Sequence, residues 1–476
     1  MSNLYFTLIE NENIVSEKEK VAEILNTYFI EAVQNLEIEK FTDDSVQDTQ
    51  SESIDEVIEN ILEKYKSHPS ILKIKENVTV VNKFRFQDTT EDQIYLKINS
   101  LDPKKACKEN DIPPKILLGT NDIVSSYLSK IYNDSKNSEK YPCSLKTADV
   151  TPIHKEKERT LKKNYRPVSI LPTLSKIFEG NMNEQIFTYI EKHLSPYLFG
   201  YRKGHGAQHC LLVMIEMWRK ALDERKVAGA ILTDLSKAFD CLSHDLLIAK
   251  LEAYGFDKSA LNLIYDYLKN RMQRTKVNQS YSSWRELLSG VPQGSILGPL
   301  LFNIFINDIF YFLNGADIVN FADDNTVHII ENDVMELLKT LESEALNVLE
   351  WFRKNEMKPN QGKCHLLVAD INHKFYSSNS YIYLENAFLE SEEYVKLLGV
   401  TIDKNLDFNE HITGLLKKGN QKLHALMRIA KYITDKDKLK LIMRTFIESQ
   451  FNFCPLVWMC HSRELNHKIN KLQERA

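Results

Sequence analysis

The stretch 316–330 restricts the fold more than any other part of the chain. Two short apolar runs, Ala316-Asp317-Ile318-Val319-Asn320 and Thr326-Val327-His328-Ile329-Ile330, flank Phe321-Ala322-Asp323-Asp324. Runs of this length around a polar break predict a β-hairpin with Asp323 and Asp324 at its tip. Adjacent carboxylates repel unless they are protonated or share cations. A hairpin that holds two of them out at one end is a platform for Mg²⁺, which takes hard oxygen ligands and completes its shell with water and substrate phosphates. An ordinary Asp-rich turn explains the same residues more plainly, so the rest of the chain has to decide.

Upstream, Gly229-Ala230-Ile231-Leu232-Thr233-Asp234-Leu235 reads as a nearly continuous apolar strand with one acid at its end. A carboxylate there is costly unless it is paired or bound to metal. Ser236 to His244 then turns into a helix running through Tyr254. The segment Gly290-Val291-Pro292-Gln293-Gly294-Ser295-Ile296-Leu297-Gly298-Pro299 is a loop that opens an apolar helix over 300–313. Pro299 suits the first helical turn, and free amides at such an N-terminus suit phosphate or template backbone. In Leu198-Phe199-Gly200-Tyr201-Arg202-Lys203-Gly204-His205-Gly206 the three glycines let backbone approach a ligand. No Gly-Lys-Ser/Thr closes that segment, so it is not a P-loop. A strand pair at 150–153 and 165–171 carries Lys155 and Arg166, either as a phosphate-facing pair of cations or as a solvated edge.

The remaining pattern predicts helices at 16–36, 54–65, 112–118, 123–132, 174–193, 207–225, 258–272, 334–356, 409–431 and 435–458. Further strands are expected at 275–277, 284–288, 364–368 and 394–403, with a polar acidic break at 42–53. In the 334–356 helix, Leu337, Leu338, Leu341, Ala345, Leu349 and Phe352 recur at helical spacing as a packing face.

Composition limits the class. Apolar content of 43% and charged content of 27% over 476 residues are globular values, with room for several domains. The seven cysteines form no Cys-x-x-Cys pair, which points to reduced thiols inside a cell. Cys454, Cys460, His461 and His467 do not have finger spacing, and zinc is not expected. The N-terminus lacks the basic start and apolar run of a signal peptide. The 300–313 stretch is interrupted by Asn303, Asn307 and Asp308, so no membrane span is expected. The net charge of −5 hides an asymmetry: residues 1–60 hold 3 Lys or Arg against 15 Asp or Glu, and residues 409–476 hold 13 against 6. A polyanion is expected to lie against the basic C-terminal end.

Taken in order, these motifs resemble the reverse transcriptase region of non-LTR (LINE-type) retrotransposons of the jockey-like or CR1-like kind. The residues that carry the resemblance are Tyr165-Arg166-Pro167-Val168-Ser169, Phe199 to His205, Asp234-Leu235-Ser236-Lys237-Ala238-Phe239-Asp240, Gly290 to Ser295, Phe321 to Asp324 and Leu398-Gly399-Val400. The match runs from about residue 110 to the end of the chain. The resemblance implies an α+β right-hand polymerase with fingers, a palm built on a small antiparallel sheet, and a helical thumb. It implies an acidic helical extension or linker over 1–100, fingers and the N-terminal reverse transcriptase region over 101–228, the palm with parts of the fingers over 229–405 and a helical basic thumb over 406–476.

The resemblance also implies roles. Asp234, Asp323 and Asp324 would hold two Mg²⁺ ions, with Mn²⁺ as a substitute, for in-line displacement. Lys363 matches a lysine that protonates pyrophosphate. Phe239, five positions after Asp234, matches a steric gate against the ribose 2′-hydroxyl, selecting by repulsion. Lys155, Arg166, Gln293 and Gly294 match nucleotide-facing positions. Arg202, Leu398 and Gly399 match positions for template and primer. The partners implied are an RNA template, a DNA primer or target and dNTPs, in nucleus and cytoplasm. Gly206-Ala207 stand where the family commonly has Ser-Thr, which puts local template contact in doubt. No endonuclease or cysteine-histidine knuckle accompanies these motifs. The chain stops within an expected helix, so a fragment is expected. A decayed or domesticated nucleic-acid-binding remnant is the alternative. An RNA-templated RNA polymerase is disfavoured by the aromatic ring of Phe239.

Overall fold

A computed structural model describes residues 6–34, 36, 38, 40–41, 53–155, 157–370, 380–459 and 462–475. The expected acidic break lies, apart from Ser53, outside them. The architecture is mixed α+β with small sheets. The chain divides into two compact units, each assembled from separated stretches. The first comprises Met1–Ser195, Ser236–Phe312 and Trp351–Lys358, and the second Pro196–Leu235, Leu313–Glu350 and Pro359–Ala476.

In the first unit Thr147–His154 pairs antiparallel with Tyr165–Ile170, setting Ile153 opposite Arg166, and runs parallel to Arg271–Val277. The helix Lys18–Gln34 buries Val21, Leu25 and Phe29, one per turn, against Val150, Tyr165 and Val277. Its buried Asn26 is fixed to the sheet: Nδ2 donates to the Ser283 carbonyl, and Oδ1 accepts from Gln273 and Thr275. The helix Ile54–Tyr65 starts in a capping box of Ser53 with Glu56 and packs, like Pro69–Asn77, on His244–Ala253. Tyr65 Oη donates to Glu356 at 2.9 Å, and His68 bridges the Ser70 amide and the Lys354 carbonyl. The described helices of the acidic stretch over 1–100 are therefore packed within this unit, because their apolar stripes at helical spacing need a partner to cover them.

The helix expected over 258–272 stops at Leu268. Asn270 adopts a positive φ of 56°, and Arg271–Val277 is a strand whose inward positions are Arg271, Gln273, Thr275 and Val277. The strand expected at 275–277 is thus there, and polar residues on the inner face hid the period-2 pattern that extends it back to Arg271. Arg271 is buried because it donates to the Tyr267 carbonyl at 2.9 Å and lies over the Tyr267 ring.

The second unit is built on a four-stranded antiparallel sheet in the order Asp317–Phe321, Asp324–Glu331, Val227–Thr233, His365–Ala369. Every residue of Val227–Thr233 is buried, as its unbroken apolar sequence requires. Leu337 and Leu341 of the expected packing stripe pack against Gly229 of the central strand, Ala345 and Leu349 of the same stripe are buried, and Ala207–Asp223 also packs on the sheet. A larger core joins Trp218, Leu367, Val395 and Ile402 to the C-terminal helices through Leu416, Leu423, Ile469 and Leu472.

The helix expected over 435–458 is broken into Lys436–Phe446, a short 3₁₀ turn and Pro455–Trp458. Cys454 takes a φ of +48°, and Pro455 cannot continue a helix from the preceding turn. The hairpin Tyr381–Leu384 with Ala387–Glu390 had no counterpart in the sequence expectation. Among the described residues no helix is long and apolar enough to cross a membrane.

Candidate active site

The acidic hairpin forms as its sequence predicts. Asp317–Phe321 pairs with Asp324–Glu331 in a register that leaves Ala322 and Asp323 as a two-residue loop. Ala322 has φ +59°, a region L-residues visit rarely. Two buried asparagines hold that strained loop. Asn320 Nδ2 donates to the Ala322 carbonyl at 2.9 Å and to Asn325 Oδ1 at 2.7 Å, while Asn325 Nδ2 donates to the Asp323 carbonyl at 3.1 Å. Both loop carbonyls are thus satisfied from beneath, and the Asp323 and Asp324 side chains stand exposed.

The segment 197–200 lies against the first strand of the hairpin. Phe199 N donates to the Asn320 carbonyl at 2.9 Å, and Asn320 N donates to that of Tyr197 at 3.0 Å. A Cβ at Gly200 would lie 2.3 Å from Ala322 N. The close approach expected of this glycine-rich segment is therefore to the chain's own acidic turn. Arg202 Nη1 donates to the Leu198 carbonyl at 3.1 Å, tying the same segment to itself.

Asp234 follows the central strand. Thr233 is paired with Asn325, so the next residue on each strand is Asp234 and Asp324. This register brings the three carboxylates to one end of the sheet, although Asp234 stands about ninety positions upstream of the pair. They do not converge as a ligand cluster: among the described residues no three His, Cys, Asp or Glu side chains are grouped to hold a metal ion. Asp234 Oδ2 instead accepts from Lys363 Nζ at 3.0 Å and from Asn360 Nδ2 at 3.3 Å. Carboxylates drawn together without a cation repel, and the Lys363 ammonium supplies Asp234 with its counter-charge. The donor set still fits Mg²⁺. Its atoms are hard carboxylate oxygens, two of them on exposed side chains, and Mg²⁺ is bound through one or two carboxylates plus substrate phosphates rather than by a closed protein cage.

Also in the second unit, Tyr394–Leu397 and Val400–Asp403 form a hairpin with Leu398 and Gly399 as its loop. Both have positive φ, the requirement of a type I′ turn. Cys454 is buried in that unit's core, whereas Cys460 and His461 lie outside the described residues.

The other expected site residues belong to the first unit. Lys155 and Arg166 are exposed at the end of the paired strands, and neither forms a salt bridge among the described residues. The Phe239 ring stacks on Phe302 at 4.3 Å between centroids and 21° between planes. The Gln293 carbonyl accepts from Ser169 N at 2.8 Å, and Gly294, with φ +128°, brings its Cα against the Ser169 carbonyl where a Cβ would clash at 2.5 Å.

Sequence reasoning missed Asn320, Asn325, Asn360 and Asp240. For the first two a signal existed: an asparagine on either side of Phe321-Ala322-Asp323-Asp324, in strands otherwise apolar, is the expected place for side chains that bond turn carbonyls.

The family model described as reverse transcriptase (RNA-dependent DNA polymerase) matches residues 153–402. A probable RNA-directed DNA polymerase from transposon BS of Drosophila melanogaster is 30% identical over 316 residues, covering 63% of this chain and 34% of the relative. The RNA-directed DNA polymerase from mobile element jockey of the same organism is 26% identical over 362 residues, covering 74% and 39%. A probable RNA-directed DNA polymerase from transposon X-element, also of D. melanogaster, is 25% identical over 334 residues, covering 68% and 36%. The chain thus spans little more than a third of the length of these curated relatives.

Proposed function

We propose, from the premise that this chain belongs to the reverse transcriptase family, that it is the RNA-directed DNA polymerase of a non-LTR retrotransposon, extending a DNA primer with dNTPs on an RNA template. The observation that carries this reading is the strand register that puts Asp234 beside the Asp323-Asp324 turn. In the right-hand arrangement of the family, the four-stranded sheet corresponds to the palm, the paired strands around Lys155 and Arg166 to fingers, and the basic helices after 406 to the thumb.

Asp234, Asp323 and Asp324 would hold two Mg²⁺ ions, Mn²⁺ substituting, which when bound acidify the primer 3′-hydroxyl and neutralise charge on the leaving pyrophosphate. Lys363 is already within hydrogen-bond reach of Asp234. Its ammonium offsets that carboxylate at rest and, on a flexible four-carbon stem, is free to turn and give its proton to pyrophosphate. Arg166 offers bidentate bonds to the triphosphate and Lys155 a point charge. Phe239 rejects a 2′-hydroxyl by bulk, and its stacking on Phe302 keeps the ring from turning aside.

Primer extension on poly(rA)/oligo(dT) with Mg²⁺ or Mn²⁺ tests this. Incorporation of dTTP is expected, and Asp323→Asn should reduce it to background. Phe239→Ala should raise UTP use relative to dTTP. Binding of the template-primer without incorporation would replace the polymerase with a nucleic-acid-binding remnant. Preference of the unmodified protein for ribonucleotides would make it an RNA polymerase.

A further inference from the structure

Asp240 is the one acid of the Asp234 to Asp240 motif that has no part in the chemistry above. Its carboxylate Oδ1 accepts from Gln293 Nε2 at 2.9 Å. The two residues are held in place from several sides. Val291 N donates to the Phe239 carbonyl at 3.1 Å, Ser289 Oγ to the Asp240 carbonyl at 3.0 Å, and Ser169 N to the Gln293 carbonyl at 2.8 Å. Gly290 packs so closely that a Cβ there would meet the Asp240 Cα at 2.7 Å. Asp240 and Gln293 also line a cavity of about 50 Å³, walled by Phe29, Val33 and Pro167.

An amide side chain has a donor end and an acceptor end of nearly the same shape, so only its partners decide which end faces a ligand. An ionised carboxylate has no proton to give. Facing Asp240, Gln293 must therefore turn its NH₂ inward and its Oε1 outward, and Oε1 has no hydrogen-bond partner among the described residues.

We infer that Asp240 is a positioning residue for Gln293, fixing the amide so that Gln293 presents an acceptor to a hydroxyl donor of the incoming nucleotide. This rests on the polymerase reading and on Gln293 lining the nucleotide. Burial pushes the Asp240 carboxyl upward, while the Gln293 bond and the nearby Lys237 ammonium favour its ionised form.

The test is steady-state dTTP incorporation by the full chain on poly(rA)/oligo(dT), with Asp240→Asn, Gln293→Ala and the double variant compared by thermal melting and kinetics. Asparagine has nearly the same shape but can give or accept, so the amide loses its fixed sense. Asp240→Asn should raise the KM for dTTP about tenfold, the worth of one oriented hydrogen bond, with kcat within about twofold. In the Gln293→Ala background the same change should add nothing. An unchanged KM in Asp240→Asn while Gln293→Ala raises it, or a full further loss in the double variant, would overturn the positioning role and leave the polymerase reading standing. Absence of incorporation by the unmodified protein would remove both. If Asp240→Asn melts early, Asp240→Ser carries the same comparison, with the same KM-against-kcat split expected.

Discussion

A methyl group on Gly200 would sit 2.3 Å from Ala322 N, well short of van der Waals contact distance with backbone that cannot yield without moving Asp323. Gly200→Ala should therefore lower stability by about 1–3 kcal/mol, the usual range for overpacking, and reduce dTTP incorporation along with it. Chemical denaturation followed by primer extension reads both. A Gly200→Ala protein with unaltered midpoint and rate would show that the turn is free to shift. The same reasoning explains why Asn320 and Asn325 are buried amides among apolar neighbours. Replacing Asn320 would orphan the buried Ala322 carbonyl, and an unsatisfied buried acceptor is more costly than the bond is favourable.

At the scale of elements, the helix Asn409–Ala430 has one buried apolar face and an exposed face that carries cations. Ile412, Leu416, Gly419, Leu423 and Leu426 are buried, whereas Lys417, Lys418 and Arg428 are exposed. On the thumb reading those cations meet the phosphates of a duplex. Lys417→Glu with Lys418→Glu should weaken template-primer binding and flatten its dependence on salt, each lost phosphate contact removing roughly 0.7–0.9 from the slope of log K against log salt. Fluorescence anisotropy across a salt series measures this, and an unchanged slope would remove the helix from the nucleic-acid surface. Element by element, legibility in the sequence followed how uniquely hydrophobic spacing specified a partner. The Ile54–Tyr65 helix was legible because its apolar residues keep helical spacing, and the acidic hairpin and the strand before Asp234 because short apolar runs with polar or acidic ends specify buried strands. Of Arg271–Val277 only 275–277 was legible as strand; the part before it was not, because its inner positions Arg271 and Gln273 are polar and Gln273 finds its partner in the distant Asn26. The Asp234 to Lys363 pair was hidden for a related reason: 129 positions separate the two, and only the sheet register joins them. Asp240 was hidden because its partner lies on a loop 53 positions away.

For the whole molecule the buried histidines set a pH limit. Burial lowers His68, His244, His328 and His411 from 6.5 to about 4. Between those values the unfolded chain takes up protons that the folded chain refuses. Stability is thus full above pH 6.5 and falls as the pH drops toward 4, by up to about 3 kcal/mol per ring. Asp240 and Asp403, whose carboxyls burial pushes upward, act in the opposite sense and offset part of the loss. Urea midpoints measured at pH 7, 6, 5 and 4 should decline steadily, and a flat series would mean that these rings are accessible to protons in the native state.

The interleaving of the two units also has a consequence during synthesis. Neither is a contiguous stretch, and the first is completed only by Trp351–Lys358, which supplies Glu356 to Tyr65 and the Lys354 carbonyl to His68. A ribosome must therefore translate 291 residues beyond Tyr65 before the helix ending there finds its last partner. Until then the nascent chain carries the apolar stripe of that helix uncovered, a period in which holdase chaperones have their natural substrate.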